Sequence, residues 1–459
     1  MHNIGETVAA ASTPPGKGGV ALIRVSGTDA FAIADRVFRP RCGRALSQIA
    51  PRMQTYGDIF YENEPIDDGM AVRFTAPHSY TGEDTVEITC HGGVRLTSLV
   101  LTALIAAGAR AAQAGEFTRR AFLNGRLTLT DAEAIGNLLE AGSLGQIRLS
   151  RKSARTRLSQ SVDAIRASLV SLMSSLYARI DYPDEDLGEL GDAELLSVMQ
   201  AQREAMDALL STYRTGHAVV EGVRTVLCGK PNTGKSTLFN RLVGEDAAIV
   251  TDVAGTTRDV LEHTAAVGSV LLRLCDTAGL HDSTDPVERI GIDRARARLG
   301  EAELILAVFD GSRPMDAEDA ALLDTLRTLD VPRIAILNKA DLGTAASEHA
   351  LSYGFEAVLP LCARDGELSA LTAVIERLFT EERLLAGECA VLTGERQHGT
   401  LLRARELLDA AIDALLGGMP ADAVSSDLQR AIGALSELDG REVSEQIVAD
   451  IFSKFCVGK

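Results

Sequence analysis

The chain has 459 residues and a formal net charge of −18, and 46% of its residues are hydrophobic although only 4% are aromatic. This length predicts about three domains, and the acidic balance argues against a general nucleic-acid-coating protein, which carries a basic surplus. The absence of a long apolar run, of a signal-peptide pattern and of any C-x-x-C pair among the seven Cys residues predicts a reduced, cytoplasmic protein with no membrane span, zinc site or disulfide framework.

The first 120 residues or so have the pattern of a compact α+β unit. Residues 20–25 form a strand candidate after the Gly-rich turn at 14–19. Residues 86–90 alternate apolar and polar side chains, which predicts a half-buried strand with Glu87 turned away from the apolar face. An apolar helix is expected over residues 96–104.

Residues from about 121 to 216 show mainly helical periodicity. A stripe at i, i+3/i+4 spacing runs over six turns through Leu158, Val162, Ile165, Leu169, Leu172, Leu176 and Ile180. Five basic residues lie within ten positions near its start: Arg148, Arg151, Lys152, Arg155 and Arg157. They form either a solvated helix face or a surface that contacts RNA phosphates, and the sequence leaves both interpretations open.

Between residues 222 and 378 strands and helices alternate, which predicts a parallel α/β sheet. The strand candidates are Val223–Cys228, Val270–Cys275, Leu304–Phe309, Arg333–Leu337 and Ala357–Leu361. Helical periodicity returns from Leu401 to Leu438, so the α/β unit interrupts a helical region.

Residues 229–236 (Gly-Lys-Pro-Asn-Thr-Gly-Lys-Ser) match the phosphate-binding loop G-x-x-x-x-G-K-[ST]. A strand candidate precedes them and a helical pattern follows, as this loop requires. Its glycines let backbone N–H groups close around phosphate oxygens. Lys235 supplies a cation for the β- and γ-phosphates, and the Ser236 hydroxyl suits Mg²⁺.

Three further motifs predict a GTPase. Residues 276–279 (Asp-Thr-Ala-Gly) follow one strand, where Asp276 can reach the metal through water and the Gly279 amide can sense the γ-phosphate. Residues 338–341 (Asn-Lys-Ala-Asp) follow another. The Asp341 carboxylate accepts from the two guanine donors at N1 and N2, whereas adenine offers an acceptor at N1. Residues 251–259 form a switch with a Thr available for Mg²⁺.

The hydrolytic residue is not evident from these motifs. Leu280 and His281 follow Gly279, and His281 stands where Ras-like enzymes carry a water-orienting Gln. Another group must orient the attacking water, and Asp282, Asp285 and Glu288 are the nearby carboxylates.

Taken together, the motifs resemble the MnmE (TrmE) family of bacterial tRNA-modification GTPases over essentially the whole chain. The final segment, Phe-Cys-Val-Gly-Lys, differs from the family's Phe-Cys-Ile-Gly-Lys only at Val457. The segments that carry the resemblance are residues 14–19, 80–84, 91–93, 115–124, 255–259 and 455–459.

The resemblance implies a multidomain α/β fold. Residues 1–120 would form an N-terminal α+β domain for tetrahydrofolate binding and dimerisation. Residues 217–380 would form an inserted Ras-like P-loop G domain, and residues 121–216 and 381–459 two parts of one helical domain.

The resemblance also implies a potassium-dependent GTPase that acts on tRNA with the flavoprotein MnmG (GidA), as a homodimer within a heterotetramer or larger complex. Together they add an aminomethyl or carboxymethylaminomethyl group to carbon 5 of the wobble uridine. The one-carbon unit comes from 5-formyl- or methylene-tetrahydrofolate, and GTP, Mg²⁺ and K⁺ are the other implied cofactors.

The family positions fall into four groups. Glu288 matches the glutamate that positions the attacking water. The Mg²⁺ ligands match Ser236 and Thr257, and the K⁺ ligands match Asn232, Thr251, Val253 and Thr256. The folate contacts match Arg24, Glu87, Arg126 and Lys459. The expected GTP contacts are Asn232, Thr233, Gly234, Lys235, Ser236, Thr237, Thr251, Thr256, Thr257, Asp276, Thr277, Ala278, Gly279, Asn338, Lys339 and Asp341.

Two positions leave alternatives open. Cys456 is either a structural residue of the tail or a nucleophile near the folate site. Arg126 stands where some relatives have Lys, which keeps the charge but changes the donor geometry.

Two other functions compete with tRNA modification. One is a ribosome-assembly or signalling GTPase that acts as a switch without chemistry, against which the folate-type N-terminal region and the Cys-containing tail argue. The other is a folate-dependent one-carbon transferase regulated by nucleotide, which differs only in its substrate.

Overall fold

The structure is a computed structural model that describes residues 5–181, 191–245, 262–275, 301–343, 354–381, 384, 389–453 and 455–458. The chain divides into two compact units, one of residues 1–136 with 436–459 and the other of residues 137–435. Within the described ranges each helix is too short or too polar to cross a membrane.

The first unit is built on a seven-stranded sheet in the order β3-β4-β5-β6-β2-β1-β7. Its neighbouring strands are antiparallel except for the parallel pair β1–β7. The strands are β1 (Val8–Ala11), β2 (Val20–Ser26), β3 (Phe38–Pro40), β4 (Thr55–Tyr61), β5 (Glu64–Phe74), β6 (Thr85–His91) and β7 (Arg110–Ala111). The helices of this part of the chain are α1 (Ala30–Val37), α2 (Val94–Ala106), α3 (Glu116–Leu123) and α4 (Leu129–Leu139).

The two faces of this sheet differ because side chains alternate along a strand. The apolar side chains of β6, at Val86, Ile88 and Cys90, are buried together with residues of α1 and α2. Glu87 lies on the opposite face, so the predicted alternation is confirmed. The sheet therefore has one packed face and one that carries polar groups.

The second unit contains a six-stranded sheet in the order β13-β12-β11-β8-β10-β9. The strands are β8 (Val223–Cys228), β9 (Glu262–Val267), β10 (Val270–Cys275), β11 (Leu304–Asp310), β12 (Arg333–Asn338) and β13 (Ala357–Leu361). All neighbours are parallel except the hairpin β9–β10. The five predicted strands are confirmed to within one residue at each end, whereas β9 was not predicted.

In sequence, the helices of the second unit come before the first strand of this sheet, between its strands and after its last strand. The remaining helices of the described residues are α5 (Leu144–Leu149), α6 (Lys152–Asp181), α7 (Asp192–Ser211), α8 (Tyr213–Val220), α9 (Lys235–Glu245), α10 (Ala317–Arg327), α11 (Ser369–Phe379), α12 (Glu395–Leu416), α13 (Ala421–Asp439) and α14 (Glu445–Ser453), the last of which belongs to the first unit. Helix α7 packs against both α6 and α12. The predicted stripe on α6 is buried from Leu158 to Leu176, but Ile180 at its end is 39% exposed.

The C-terminal segment packs within the first unit. Phe452 and Phe455 belong to a small core with Leu129 and Ala132. After it, Val457 forms a bridge with Ala114. The last residues of the described chain are therefore held against the N-terminal domain, far in sequence from the elements they contact.

A buried histidine lies where α8 leads into β8. The Nδ1 atom of His217 is 3.4 Å from Glu221 and its Nε2 atom is 3.3 Å from Glu303. Tyr213 stacks on His398 beside it, with ring centroids 4.2 Å apart. Hydrogen bonds to Glu221 and then to Glu303 raise the pKa of His217 to about 9, against the opposing effect of burial.

We expect this histidine to make stability depend on pH. Because its pKa in the folded state lies above the unfolded value near 6.5, the stabilisation is complete below about pH 6.5 and is lost as the pH rises towards 9. The shift in pKa corresponds to a contribution of at most about 3 kcal/mol to the free energy of unfolding. Solvent screening reduces this contribution, because both carboxylates are about one-third exposed. His217→Gln should therefore lower the apparent Tm at pH 6 by several degrees, and by much less at pH 9.5.

The matched control is His78→Gln, which removes an exposed histidine. Calorimetric unfolding of the three proteins at both pH values measures the effect. An equal loss of Tm for His217→Gln at pH 6 and pH 9.5 would show that packing, and not the charged pair, stabilises this junction.

Candidate functional site

The predicted phosphate-binding loop lies between β8 and α9, at the carboxyl edge of the parallel sheet. Gly229 has φ +147°, and a Cβ there would lie 2.2 Å from the carbonyl oxygen of Val308. Gly234 has φ +96°, and Asn232 is a non-glycine residue at φ +62°. Positive φ is the conformation that glycine adopts at low cost, so the loop needs its two glycines.

Two lysines stabilise this loop in different ways. Lys235, at the start of α9, donates from Nζ to the Lys230 carbonyl at 2.6 Å, and burial lowers its pKa. Lys230 pairs with Asp316 at 2.5 Å and with Glu318 at 2.9 Å, at the N-terminus of α10. Lys230 therefore ties the loop to the N-terminus of α10, whereas Lys235 makes its hydrogen bond within the loop.

Asn338 connects this loop to the next part of the nucleotide site. It is 4% exposed, and its Nδ2 donates to the Thr233 carbonyl at 2.7 Å. Its Oδ1 accepts from the Ala363 amide at 2.8 Å. Because the nitrogen and the oxygen of this side-chain amide are both hydrogen-bonded, Asn338 holds together the phosphate loop, the end of β12 and the loop after β13.

Two further residues of the 338–341 motif are positioned at the same edge of the sheet. Lys339 has φ +65° and pairs with Asp310 at 2.7 Å. Asp341 is exposed in a 3₁₀ turn at Ala340–Leu342. An exposed carboxylate beside a fixed loop suits recognition of a base that presents two donors.

Other predicted contacts with the nucleotide lie in these elements or outside the described residues. Thr233 is buried in the loop, and Ser236 and Thr237 are exposed in the first turn of α9. An exposed hydroxyl after Lys235 fits the oxygen ligands that Mg²⁺ prefers. The predicted residues outside the described ranges are Thr251, Val253, Thr256, Thr257, Asp276, Thr277, Ala278, Gly279, Glu288 and Lys459.

A second polar site lies in the first unit, on the open face of the sheet. Arg24 of β2 and Glu87 of β6 are directly opposite each other in register. The Arg24 guanidinium donates to Glu87 Oε1 from Nε at 3.0 Å and from Nη2 at 2.8 Å. It also lies 4.8 Å from the ring centroid of Tyr80 and 5.4 Å from that of Phe117.

One nitrogen of this guanidinium is left for a further acceptor. Arg24 Nη1 is buried and has no hydrogen-bond partner among the described residues. A buried donor without a partner costs about 1–3 kcal/mol, so the site fits a ligand with a carbonyl or anionic oxygen.

The loop at residues 79–84 forms one wall of this second site, and sequence reasoning gave its supporting residues no role. Arg120, which is 3% exposed, pairs with Glu83 at 3.0 Å and with Glu116 at 2.9 Å. Ser26 donates to Glu83 at 2.8 Å. The segments 80–84 and 115–124 carried the family resemblance, but their residue pattern did not show that an ion pair joins them.

Three of the four predicted folate contacts are described, and all three lie around this loop. Tyr80 contacts Arg24, and a cavity of about 210 Å³ is lined by Tyr80, Glu87, His78 and others. Ligand pockets of about 300–1,000 Å³ are typical for a drug-sized molecule, so this cavity suits a single ring system. Arg126 is exposed beside Gly82, where a Cβ would lie 3.1 Å from Arg126 Cγ.

The tail reaches the same sheet. Gly458 is buried at φ +98°, its carbonyl accepts from Ser12 Oγ at 3.0 Å, and a Cβ on it would lie 2.1 Å from the Ala11 carbonyl oxygen. Ala11 ends β1, which pairs with β2, the strand of Arg24. Cys456 is exposed and free.

Family models match most of the chain. Residues 7–126 match the model described as GTP-binding protein TrmE N-terminus, and residues 129–456 match the MnmE helical domain. Curated relatives match the whole length. A protein named tRNA modification GTPase MnmE from Lactobacillus delbrueckii subsp. bulgaricus is 39% identical over 458 residues, covering 99% of this chain and 98% of the relative.

A second relative of the same name, from Thermotoga maritima, is 38% identical over 460 residues. The match covers 99% of this chain and 100% of the relative. Among solved structures, the G domain of the Thermotoga maritima FeoB iron transporter is 26% identical. The match covers 34% of this chain and 97% of that G domain. Its TM-score of 0.26 is too low to bear on the fold.

Proposed function

Since the chain belongs to the family of tRNA-modification GTPases named MnmE, and is therefore a GTP hydrolase of tRNA modification, we propose that it supports modification of the tRNA wobble uridine at carbon 5. The group added is aminomethyl or carboxymethylaminomethyl, and its one-carbon unit comes from 5-formyl- or methylene-tetrahydrofolate. The proposed partners are a second copy of the chain and the flavoprotein MnmG (GidA), in the cytoplasm.

The observation that carries the folate part of this proposal is the pair Arg24–Glu87, with the tail held at the end of β1, the strand that pairs with β2. Arg24 Nη1, which is buried and has no hydrogen-bond partner in the described part of the chain, suits an oxygen of the ligand. Glu87 has a second oxygen that can accept from pterin donors, since both hydrogen bonds of Arg24 go to Oε1. Lys459 and Arg24 supply charge for the anionic glutamate portion of the folate, and Arg126 is the fourth proposed contact.

The nucleotide site has the following proposed division of roles. Lys235 and the backbone amides of residues 229–236 bind the β- and γ-phosphates, and Asp341 selects guanine. Ser236 and Thr257 would hold Mg²⁺, and Asn232 with Thr251, Val253 and Thr256 would hold K⁺. These cations, when bound, offset negative charge that develops between the phosphates, and Glu288 orients the attacking water.

We expect hydrolysis to be faster in K⁺ than in Na⁺ at equal ionic strength, by about tenfold or more, because a fixed charge aimed at the transition state is worth this much. K⁺ should also favour association of two G domains. This proposal is supported by Asn232, a residue with an amide oxygen that is exposed at φ +62° in the phosphate loop. Steady-state kcat and sedimentation in the two salts measure both effects.

Asn232→Ala should abolish the preference for K⁺. The matched control is Asn240→Ala, an exposed asparagine on α9, which should retain it. Equal turnover of the wild-type protein in both salts, with one oligomeric state throughout, would refute the potassium site.

The modification itself is tested by mass analysis of tRNA. Wobble uridines from cells that lack this chain should be without the aminomethyl and carboxymethylaminomethyl groups, and the wild-type gene should restore them. A GTPase that acts only as an assembly switch would leave these nucleosides unchanged, and that result would refute the proposed function.

A further inference from the structure

The acidic chain contains one segment of opposite character in the second unit. Residues 141–162 carry five basic residues and no Asp or Glu, in a protein whose net charge is −18. A polyanion is repelled by such a net charge, so a chain that binds RNA needs a local basic surface. We propose that this segment, with Arg148 and Arg151 at its centre, is a docking surface for the RNA phosphate backbone, an inference that rests on the proposed function.

The two central arginines are free to contact a ligand. Arg148 ends α5 and Arg151 lies between α5 and α6, and both are exposed. No side-chain ion pair or hydrogen bond of either is found among the residues that the structure describes. By contrast, Arg166 further along α6 pairs with Asp163 at 2.9 Å. The positive end of the α6 dipole, at Lys152, adds to the local potential.

The backbone under these arginines is fixed. Gln146 donates from Nε2 to the Val220 carbonyl at 3.0 Å, and its Oε1 accepts from the Ser143 amide at 3.1 Å. Leu149, 4% exposed, packs with Val219 and Val220. Short helix α5 is therefore held against α8, and Arg148 within it and Arg151 after it are presented from a backbone that hydrogen bonds and packing hold in place, as contacts that position a nucleic acid require.

Acidic groups close to this base are engaged elsewhere. Glu221, which follows α8, pairs with His217. Glu376 of α11 accepts from both the amide and the hydroxyl of Ser269, the residue that contacts Gly145 of α5. Neither carboxylate forms an ion pair with Arg148 or Arg151 among the described residues, so both guanidinium groups stay available to a ligand.

Charge favours RNA over a protein as the occupant. Protein interfaces are depleted of charge at their centre, whereas nucleic-acid interfaces are much more basic than protein interfaces. Exposed Leu144, at 71%, lies on the same short helix and is the feature that a protein partner would use. An acidic protein is therefore the alternative that the experiment distinguishes.

The test measures binding of an unmodified tRNA transcript to the full-length protein by fluorescence anisotropy over a series of KCl concentrations. Arg148→Glu/Arg151→Glu should weaken binding by about tenfold or more and reduce the slope of log K against log salt by about 1–2, because each phosphate contact contributes about 0.9 to that slope. Arg148→Lys/Arg151→Lys should bind nearly normally, since it keeps both charges.

The control is Arg403→Glu/Arg430→Glu, which makes the same change in net charge at exposed positions of α12 and α13. It should leave binding and salt slope nearly unchanged, and GTP hydrolysis should be normal in all variants. An equal loss in the control, or affinity within twofold of wild type for the reversal at Arg148 and Arg151, would overturn the inference.

Two further outcomes separate this inference from the proposed function. If the reversal at Arg148 and Arg151 binds RNA normally but modifies tRNA poorly with the flavoprotein, the surface contacts protein and the inference is wrong. If cells lacking the chain keep normal wobble uridines, the proposed function fails whatever the binding data show. Absence of measurable transcript binding by the wild-type protein at low salt would also overturn the inference.

Discussion

Asp341→Asn should lower the affinity for GTP by roughly 100-fold, which is about 3 kcal/mol. The reason is that the amide removes the negative charge that strengthens the hydrogen bonds to guanine N1 and N2, each worth about 1.5–3 kcal/mol, and sets its own NH2 donor against the donor at N2. The amide of Asn suits xanthine instead, because it accepts from N1–H and donates to the carbonyl at C2. Affinity for xanthosine triphosphate should therefore rise, and titration of both nucleotides measures the exchange.

The structure makes this substitution a clean test. Asp341 is exposed and lies in a short turn, whereas the bonds that hold the site together are those of buried Asn338. The variant should consequently fold and keep its phosphate loop. Asp324→Asn, at another exposed aspartate, on α10, is the control. Unchanged GTP affinity in Asp341→Asn would remove the role in base selection from this residue.

The nucleotide motifs were predictable because each is local. A phosphate loop needs its glycines and lysine within eight residues, and the strand before it is a short apolar run that fits a parallel sheet. The strands β8, β10 and β13 begin and end as predicted. Strand β9 was missed because it is an edge strand with polar residues, at Glu262 and His263, that weaken its apolar pattern.

The links between distant segments could not be predicted in the same way. The sequence places Glu87 on the polar face of β6, but it does not show that β2 pairs with β6 in the register that sets Arg24 opposite. Likewise, Glu83 lies far from Arg120 in sequence and Glu303 far from His217, although each of these residues also has a local partner four positions away. Register and packing are set by the whole sheet, and single-sequence patterns report only the element on which a residue lies.

The position of the tail defines the last expected result. Phe455 is 8% exposed and packs with Phe452 in the first unit, so it stabilises the fold. Cys456 and Val457 are exposed, and Gly458 is held at the end of β1. Removing residues 455–459 therefore deletes both a core side chain and the groups near the proposed folate site, whereas removing residues 456–459 deletes only the latter.

Both truncations should abolish wobble-uridine modification and leave GTP hydrolysis nearly intact, because the nucleotide site lies in the other unit. Only the five-residue deletion should also destabilise the first unit, by about 3–5 kcal/mol for loss of a buried Phe, while dimerisation is nearly intact in both.

Cys456→Ser keeps the size of the side chain and removes the thiol, so loss of modification there assigns a nucleophile and normal modification assigns a structural residue. Nucleoside analysis and binding of 5-formyl-tetrahydrofolate by calorimetry provide the readouts. Normal modification by the protein that ends at Phe455 would place the tail outside the active site.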